Sequence, residues 1–251
     1  MSHLLLWIES PLQSWGHDSK FDRRDTLNFP TKSGILGLVC CALGYSGEQR
    51  EFLAEFAELN MTVLSFSKDK RQVKLRDFHM VGSGYNEKDP WQSLMIPRTN
   101  EGKKATGGGS KLTYRYYLQD ARFAIILEVP DDKADLISAA LQNPVWDLYF
   151  GRKTCVPSDI IYRGVYDTIA DAKEHVMYIV MDKGLNQDFS VIDGRSTDAD
   201  FVNYMSTEVM VLNDVPVSFG MKKEYASRFV TLLTNYPVAK LQQDLQTIDF
   251  V

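Results

Sequence analysis

Phe29-Pro30-Thr31-Lys32-Ser33-Gly34-Ile35-Leu36-Gly37-Leu38-Val39-Cys40-Cys41-Ala42-Leu43-Gly44 is the stretch from which the rest of the chain is read. Pro30 stands where a helix begins, because the N–H it lacks is not needed in a first turn. Thr31 or Ser33 offers a hydroxyl to the free amides of that turn. Leu36, Val39, Cys40 and Leu43 recur at helical spacing and define a buried face. Gly34 and Gly37 carry no side chain, so another backbone, or a phosphate, comes close there. With Lys32 beside its positive end, the start of this helix reads as an anion site. The same residues also read as an ordinary capped core helix. Lys-Ser precedes the glycine, which excludes the nucleotide P-loop and its Gly-x-x-x-x-Gly-Lys-Ser/Thr order.

Before the helix, His3 to Ser10 reads as a buried strand that Pro11 ends. The following loop sets Trp15 beside Gly16 and near Arg23 and Arg24. Such a tryptophan either stacks a base or folds back into the core. After the helix, Glu48 to Leu59 has the spacing of a second amphipathic helix, and Met61 to Phe66 reads as a strand. Val73 to Val81 reads as a paired strand that exposes Lys74, Arg76 and His79. Residues 82–110 are rich in glycine and proline and hold Trp91, Arg98, Lys103 and Lys104. A loop of that length inside a compact domain is functional or disordered, and its aromatic and basic residues suit single-stranded nucleic acid. Lys111 to Val129 is a long β pattern whose entry carries Lys111, Arg115, Tyr116 and Tyr117. A helix over Ala134 to Leu141 follows, with Asp131 or Asp132 as its cap.

This succession approaches the βαββαβ ferredoxin-like plan, which is also the RRM plan whose sheet binds RNA. Tyr149 to Pro157 makes a tight turn carrying Arg152 and Lys153. Short strands are expected over Tyr162 to Tyr166, Val176 to Met181 and Val209 to Leu212, with an acidic loop over Asp193 to Asp200. The tail past Tyr225 sets Phe229, Leu232, Leu233, Leu241 and Leu245 at roughly helical spacing. The expected class is α+β: a ferredoxin-like (RRM-like) unit over 1–165 with an insertion at about 80–113. A small β-rich region with a terminal helix is expected over 166–251.

The 251 residues, 44% of them apolar, are enough for a sizeable core. Leu4 to Ile8 is too short for a signal peptide and meets Glu9 at once. No apolar run reaches membrane-spanning length, so a cytoplasmic protein is expected. Three cysteines, two adjacent, make neither a disulfide framework nor a zinc spacing, and no metal or cofactor is expected. The net charge of −5 argues against a general nucleic-acid binder, but the charge is uneven. From Asp167 onward there are 7 Lys and Arg against 13 Asp and Glu; before it there are 21 against 20. A positive face therefore belongs to the first part.

Five stretches in this order resemble one family: Ser10-Pro11-Leu12-Gln13-Ser14-Trp15-Gly16; Phe29 to Leu38; Leu75-Arg76-Asp77-Phe78-His79; Arg115-Tyr116-Tyr117-Leu118-Gln119-Asp120-Ala121-Arg122-Phe123; and Tyr149-Phe150-Gly151-Arg152-Lys153-Thr154-Cys155. The family is CasD, the Cascade subunit of type I-E CRISPR systems that holds the 5′ handle of the crRNA. The likeness spans roughly residues 3–165 and is faint beyond. It implies a ferredoxin-like palm, with the irregular insertion as a protruding thumb. It also implies a role in capping the crRNA without cutting it, beside the backbone subunit and the large PAM-reading subunit of the complex.

A single-stranded handle needs donors for phosphates and planes for bases. Thr31, Lys32 and Ser33 supply donors, and Arg23, Arg24, Arg76, Lys111, Arg115, Arg152 and Lys153 supply charge. Trp15, His79, Tyr116 and Tyr117 supply planes, and Arg98, Lys103 and Lys104 clamp the strand from the thumb. The rival reading is a metal-independent ribonuclease, as in the related type I-C subunit, drawing an acid and a base from His17, His79, Lys111 and Tyr116. A purely protein-binding scaffold explains the acidic tail but not the basic first half.

Overall fold

Leu4-Leu5-Leu6-Trp7-Ile8 is apolar at every position because its strand is covered on both faces. The structure, a computed structural model, describes residues 1–16, 22–68, 73–81, 88–91, 99–103, 111–194 and 206–234. Strand β1 (Ser2–Glu9) pairs antiparallel with β7 (Arg122–Val129) on one side and β8 (Tyr162–Tyr166) on the other. Leu4, Leu6 and Ile8 point to one core; Leu5 and Trp7 point to a second core on the other face. β7 pairs in turn with β4 (Met61–Ser67). Helices α1 (Lys32–Leu43) and α3 (Asp131–Gln142) both pack on the first face, at Ile35, Leu36, Val39, Ile137 and Leu141. The order β4-β7-β1-β8, antiparallel throughout with α1 and α3 as crossovers, follows the βαββαβ arrangement.

Helix α1 ends as its sequence dictates. Thr31 is the N-cap, its hydroxyl accepting the Gly34 amide, and Gly44 closes the helix in the left-handed region at φ 72°. The expected cap of α3 is corrected. Pro130 occupies the N-cap without a side-chain bond, and the Asp131 carboxylate instead accepts the terminal ammonium of Met1 and the Ser2 hydroxyl. Helix α2 (Arg50–Glu55) is shorter than Glu48 to Leu59. The carbonyls of Ala57 and Leu59 turn away from helical pairing to accept the Lys32 ammonium.

The second half departs further from expectation. Val176 to Met181 is helix, within α4 (Ile169–Lys183), because Ala172, Val176 and Val180 recur every fourth residue. Thr168 caps its start and Gly184 its end. The tail expected as helix past Tyr225 is strand β11 (Glu224–Thr234) as far as it is described. It is held between β9 (Asn186–Asp193) and β10 (Ser206–Ser218), and strand pairing on both sides overrides the helical spacing of Phe229, Leu232 and Leu233. Nor do these strands stand apart. β9 pairs with β4, so one seven-stranded sheet runs β10-β11-β9-β4-β7-β1-β8.

A smaller sheet carries the stem of the insertion. β5 (Val73–Val81) and β6 (Lys111–Gln119) form an antiparallel ribbon. The other edge of β6 takes two short strands, β2 (Leu12–Gln13) and β3 (Arg23–Arg24).

Candidate nucleic-acid interface

Three distant segments close on the amino-terminal half of α1. The Ser14 amide donates to the Phe150 carbonyl (3.1 Å), joining the loop after β2 to the turn at 149–155. Gly151 makes the join possible. Its φ is 87°, and a Cβ there would stand 1.7 Å from the Ser14 carbonyl oxygen, so no other residue fits. Gly34 serves packing as well: a Cβ there would stand 2.8 Å from the Trp15 ring. The turn between β10 and β11 is the third segment, held to the start of α2 by a Phe219 amide–Glu48 carbonyl bond (3.0 Å) and an Arg50–Glu224 ion pair (2.9 Å). Between these walls lies a pocket of about 490 Å³, open to solvent over Ser33, Gly37 and Cys41 of α1. Gly16, Trp146, Tyr149, Phe219, Lys223 and Tyr225 are also among its lining. At Gly37 nothing lies nearer to a built Cβ than the Phe219 ring at 3.9 Å, so this glycine opens the floor.

The start of α1 is not the free anion site that its sequence suggests. Lys32 is buried, 1% exposed, and its ammonium donates to the Ala57 and Leu59 carbonyls at 3.0 and 2.6 Å. Burial pushes this ammonium below the ordinary lysine range, while the nearby Asp193 and Asp214 carboxylates oppose that shift. Its backbone amide donates to Asp214 (2.8 Å), and Thr31 is buried as the cap. Lys32 and Thr31 therefore offer no donor to the solvent. Ser33 remains on the pocket wall.

Trp15 is corrected too. At 1% exposure it is core, its indole N–H donating to Gln13 and its ring 6.0 Å from Phe150. Tyr117 is likewise buried, beneath the Arg152 guanidinium at 4.5 Å. Arg152 also donates to the Tyr116 carbonyl (3.3 Å) and the Arg24 carbonyl (3.1 Å), pinning the root of the ribbon to the pocket's edge. Lys153 beside it is exposed.

Strand pairing sorts the ribbon's residues into two faces. Arg76, Phe78 and Met80 lie opposite Tyr116, Tyr114 and Leu112 on one face. There Arg23 sits over the Tyr116 ring at 4.9 Å and Arg76 over the Tyr114 ring at 5.9 Å, with Phe78 5.4 Å from Tyr114. The arginines, Phe78 and Tyr114 are exposed. Asp77 and His79 lie opposite Arg115 and Thr113 on the other face, with His79 and Asp77 bonded at 2.5 Å. His79 thus parts from Arg76, with which the sequence groups it. Lys74 turns inward to the Thr26 carbonyl at 3.2 Å.

On the insertion, Lys103 is exposed and paired with Glu101 at 3.0 Å. Arg98 and Lys104 lie outside the described residues, as does the side chain of Lys111. Trp146, Phe219, Lys223 and Tyr225 escaped the sequence reading. They lie far along the chain from the helix they face, and no local pattern marks them.

The comparisons agree on one kind of protein. The family described as CRISPR-associated protein (Cas_Cas5) matches residues 3–231. The Cascade subunit CasD of Escherichia coli (strain K12) is 28% identical over 172 residues, covering 65% of this chain and 70% of that protein. A chain of a solved CRISPR RNA-guided surveillance complex superposes with a TM-score of 0.66 at 27% identity, over 98% of both chains. A crystal structure of a Cas protein gives 0.59 at 26% identity, over 92% of this chain and 94% of that one.

Proposed function

The chain belongs to the CRISPR-associated Cas5 family, and from that premise we propose that it holds the 5′ handle of the crRNA in a Cascade-type complex without cutting it. The observation that carries this reading is the nearness of a nucleotide-sized pocket, lined by Tyr149 and Gly151, to the ribbon whose root the next residue, Arg152, holds through the Tyr116 and Arg24 carbonyls. The pocket takes one unstacked nucleotide. The ribbon stacks and neutralises the strand leaving it, in the manner of single-strand binding surfaces. Arg23 and Arg76 are exposed cations on the ribbon face that carries Tyr114 and Tyr116; Arg24, paired beside Arg115, belongs to the opposite one, and Lys153 is exposed on the neighbouring turn. The type I-E assignment, the backbone and PAM-reading subunits as neighbours, and a cytoplasmic site of action belong to the same proposal.

His17 and the side chain of Lys111 lie outside the described residues. Of the other two candidates for cleavage, strand register places His79 and Tyr116 on opposite faces of the ribbon, which favours holding over cutting by that pair. His79 is occupied by Asp77 on its own strand.

The test uses the RNA that co-purifies with the assembled complex, end-labelled and incubated with the full chain in chelator. Retention of that RNA over a scrambled one, with no cleavage product, is the expected outcome. Equal retention of both RNAs ends the handle assignment. A site-specific product that disappears in His79→Ala ends the non-catalytic reading.

A further inference from the structure

Four charged side chains lie together behind the pocket, and the proposed RNA contacts use none of them. Arg228 grips Asp214 with two bonds, Nε to Oδ1 at 2.7 Å and Nη2 to Oδ2 at 2.8 Å, and its remaining Nη1 pairs with Asp193. Asp193 also accepts the Met61 amide (3.0 Å) and lies 3.8 Å from the Lys32 ammonium. Asp214 closes the group by accepting the Lys32 amide at 2.8 Å. Asp214 is 3% exposed and Lys32 1%.

Stability alone is a weak reason for such a group, since well-packed apolar residues hold a core as well as a buried ion pair does. Its geometry suggests more. Between the pairs Leu212–Arg228 and Val215–Ala226 the register of β10 shifts, leaving Asn213 and Asp214 opposite Ser227 alone. A bulge of this kind re-aims a side chain, and here it delivers a carboxylate to the first turn of α1. The group therefore joins the two elements whose ends line opposite walls of the pocket. Thr31, Ser33 and Gly37 come from α1; Phe219, Lys223 and Tyr225 come from the β10–β11 turn.

We propose, on the reading that this pocket receives the RNA leader, that Asp214 and Arg228 are positioning residues that fix the separation of the pocket's two walls. Because Asp214 already takes the Lys32 amide, α1 presents a fixed, internally satisfied wall rather than a phosphate seat.

The experiment compares Asp214→Leu with Asp214→Asn in the full chain, well below the melting transition. One readout is affinity for the labelled RNA that co-purifies with the complex. The other needs no RNA: the rate at which Cys41, on the pocket wall, reacts with a disulfide reagent, Cys40 and Cys155 being buried. Asp214→Leu should weaken RNA binding about tenfold and speed Cys41 labelling by a similar factor, as when the competent arrangement is populated about a tenth of the time. Asp214→Asn keeps an oxygen for the Lys32 amide but turns an NH2 donor toward Arg228 and loses the two-point grip, so it should fall between the native protein and Asp214→Leu in both. A folded Asp214→Leu protein that labels at the native rate overturns the proposal. If that variant does not fold, Arg228→Lys, which keeps the charge but loses the two-point grip, carries the test, and a native labelling rate again overturns it. A native protein that binds no RNA defeats the handle reading instead, and the labelling rates still decide the positioning role.

Discussion

The turn at 149–155 touches both regions, the pocket through Tyr149 and Gly151 and the ribbon through Arg152, and the two are built on opposite principles. The pocket is made by packing. Gly34 and Gly151 admit close neighbours, the first-turn amides of Lys32 and Gly34 are met by Asp214 and Thr31, and Lys223 is the one cation in the lining among the described residues. The ribbon is made of exposed cations on exposed rings, Arg23 on Tyr116 and Arg76 on Tyr114. A surface of the first kind selects by shape; one of the second kind binds by charge and stacking. The contrast teaches that the two regions should fail differently when altered. Loss of shape costs affinity at every salt concentration. Loss of charge also changes how affinity falls with salt.

The largest effect is expected at Gly37. A Cβ there would meet only the Phe219 ring, at 3.9 Å, so the backbone admits a side chain, and a leucine would fill the pocket floor. Leucine also suits a helix better than glycine does. On the proposed function, Gly37→Leu should weaken RNA binding about a hundredfold, some 2.7 kcal/mol, leave the salt slope intact and not lower the melting temperature. A titration of labelled RNA at several salt concentrations checks all but the last, which a thermal melt gives. Native affinity in a folded variant would show that the pocket stays empty when RNA binds, and the contrast would collapse onto the ribbon.

A smaller effect sharpens the other side. Arg23→Ala with Arg76→Ala removes both stacked cations while leaving the strand pairing intact. Affinity at moderate salt should fall about tenfold, and the slope of log affinity against log salt should flatten by about 1.4 if each arginine neutralises one phosphate of a single strand. A fall in affinity with an unchanged slope would mean that these arginines stack without meeting phosphate.

The contrast also explains what the sequence made legible. The ribbon could be read early, because strand alternation and exposed Arg and Tyr are local signals. Strand β1, helix α1 and a hydroxyl cap from Thr31 or Ser33 at its start are legible for the same reason. The pocket was half legible. Its glycines and the Ser14 loop stand out, but Phe219, Lys223 and Tyr225 reach it only through the pairing of β10 with β11. Lys32 and Trp15 stay ambiguous in the sequence, and their place among the RNA contacts fails, because a basic or aromatic residue beside glycine looks the same whether solvent or a buried partner awaits it. What buried Lys32 were the carbonyls after a shortened α2 and Asp193, 161 positions further on. In the second half, α4 and β11 were exchanged in type. Val176 to Met181 is a short apolar run without clear periodicity, and the tail's helical spacing gave way to a place between two strands.

The smallest effect concerns the frame on which both regions rest, and it separates acid lability of the fold from behaviour of the site. On the far face of the sheet Glu9 accepts from Lys183 and the Trp7 indole at 2.8 Å and from Arg122 at 2.9 Å; Lys183 also reaches Asp159 at 2.7 Å. Burial raises the Glu9 carboxyl, but those bonds from Lys183, Trp7 and Arg122 together outweigh it and hold it below its ordinary 4.5. Asp159 is held below 3.8 in the same way: burial raises it, and Lys183, the Ile160 amide and Arg163 overcome that. A carboxyl whose folded value lies below its unfolded one contributes stability fully present above the unfolded value and lost as pH falls through the folded one. The melting temperature should therefore decline as pH drops from about 5 to about 3, and Glu9→Gln should shallow that decline while lowering stability at neutral pH. The RNA affinity proposed above should not change at neutral pH, because the network holds α4 and lies across the sheet from α1 and the pocket. An acid profile that Glu9→Gln leaves untouched would shift the sensitivity to other carboxylates. Weaker RNA binding in that variant would mean that the sheet transmits strain from one face to the other, and that pocket and ribbon do not stand on a neutral frame.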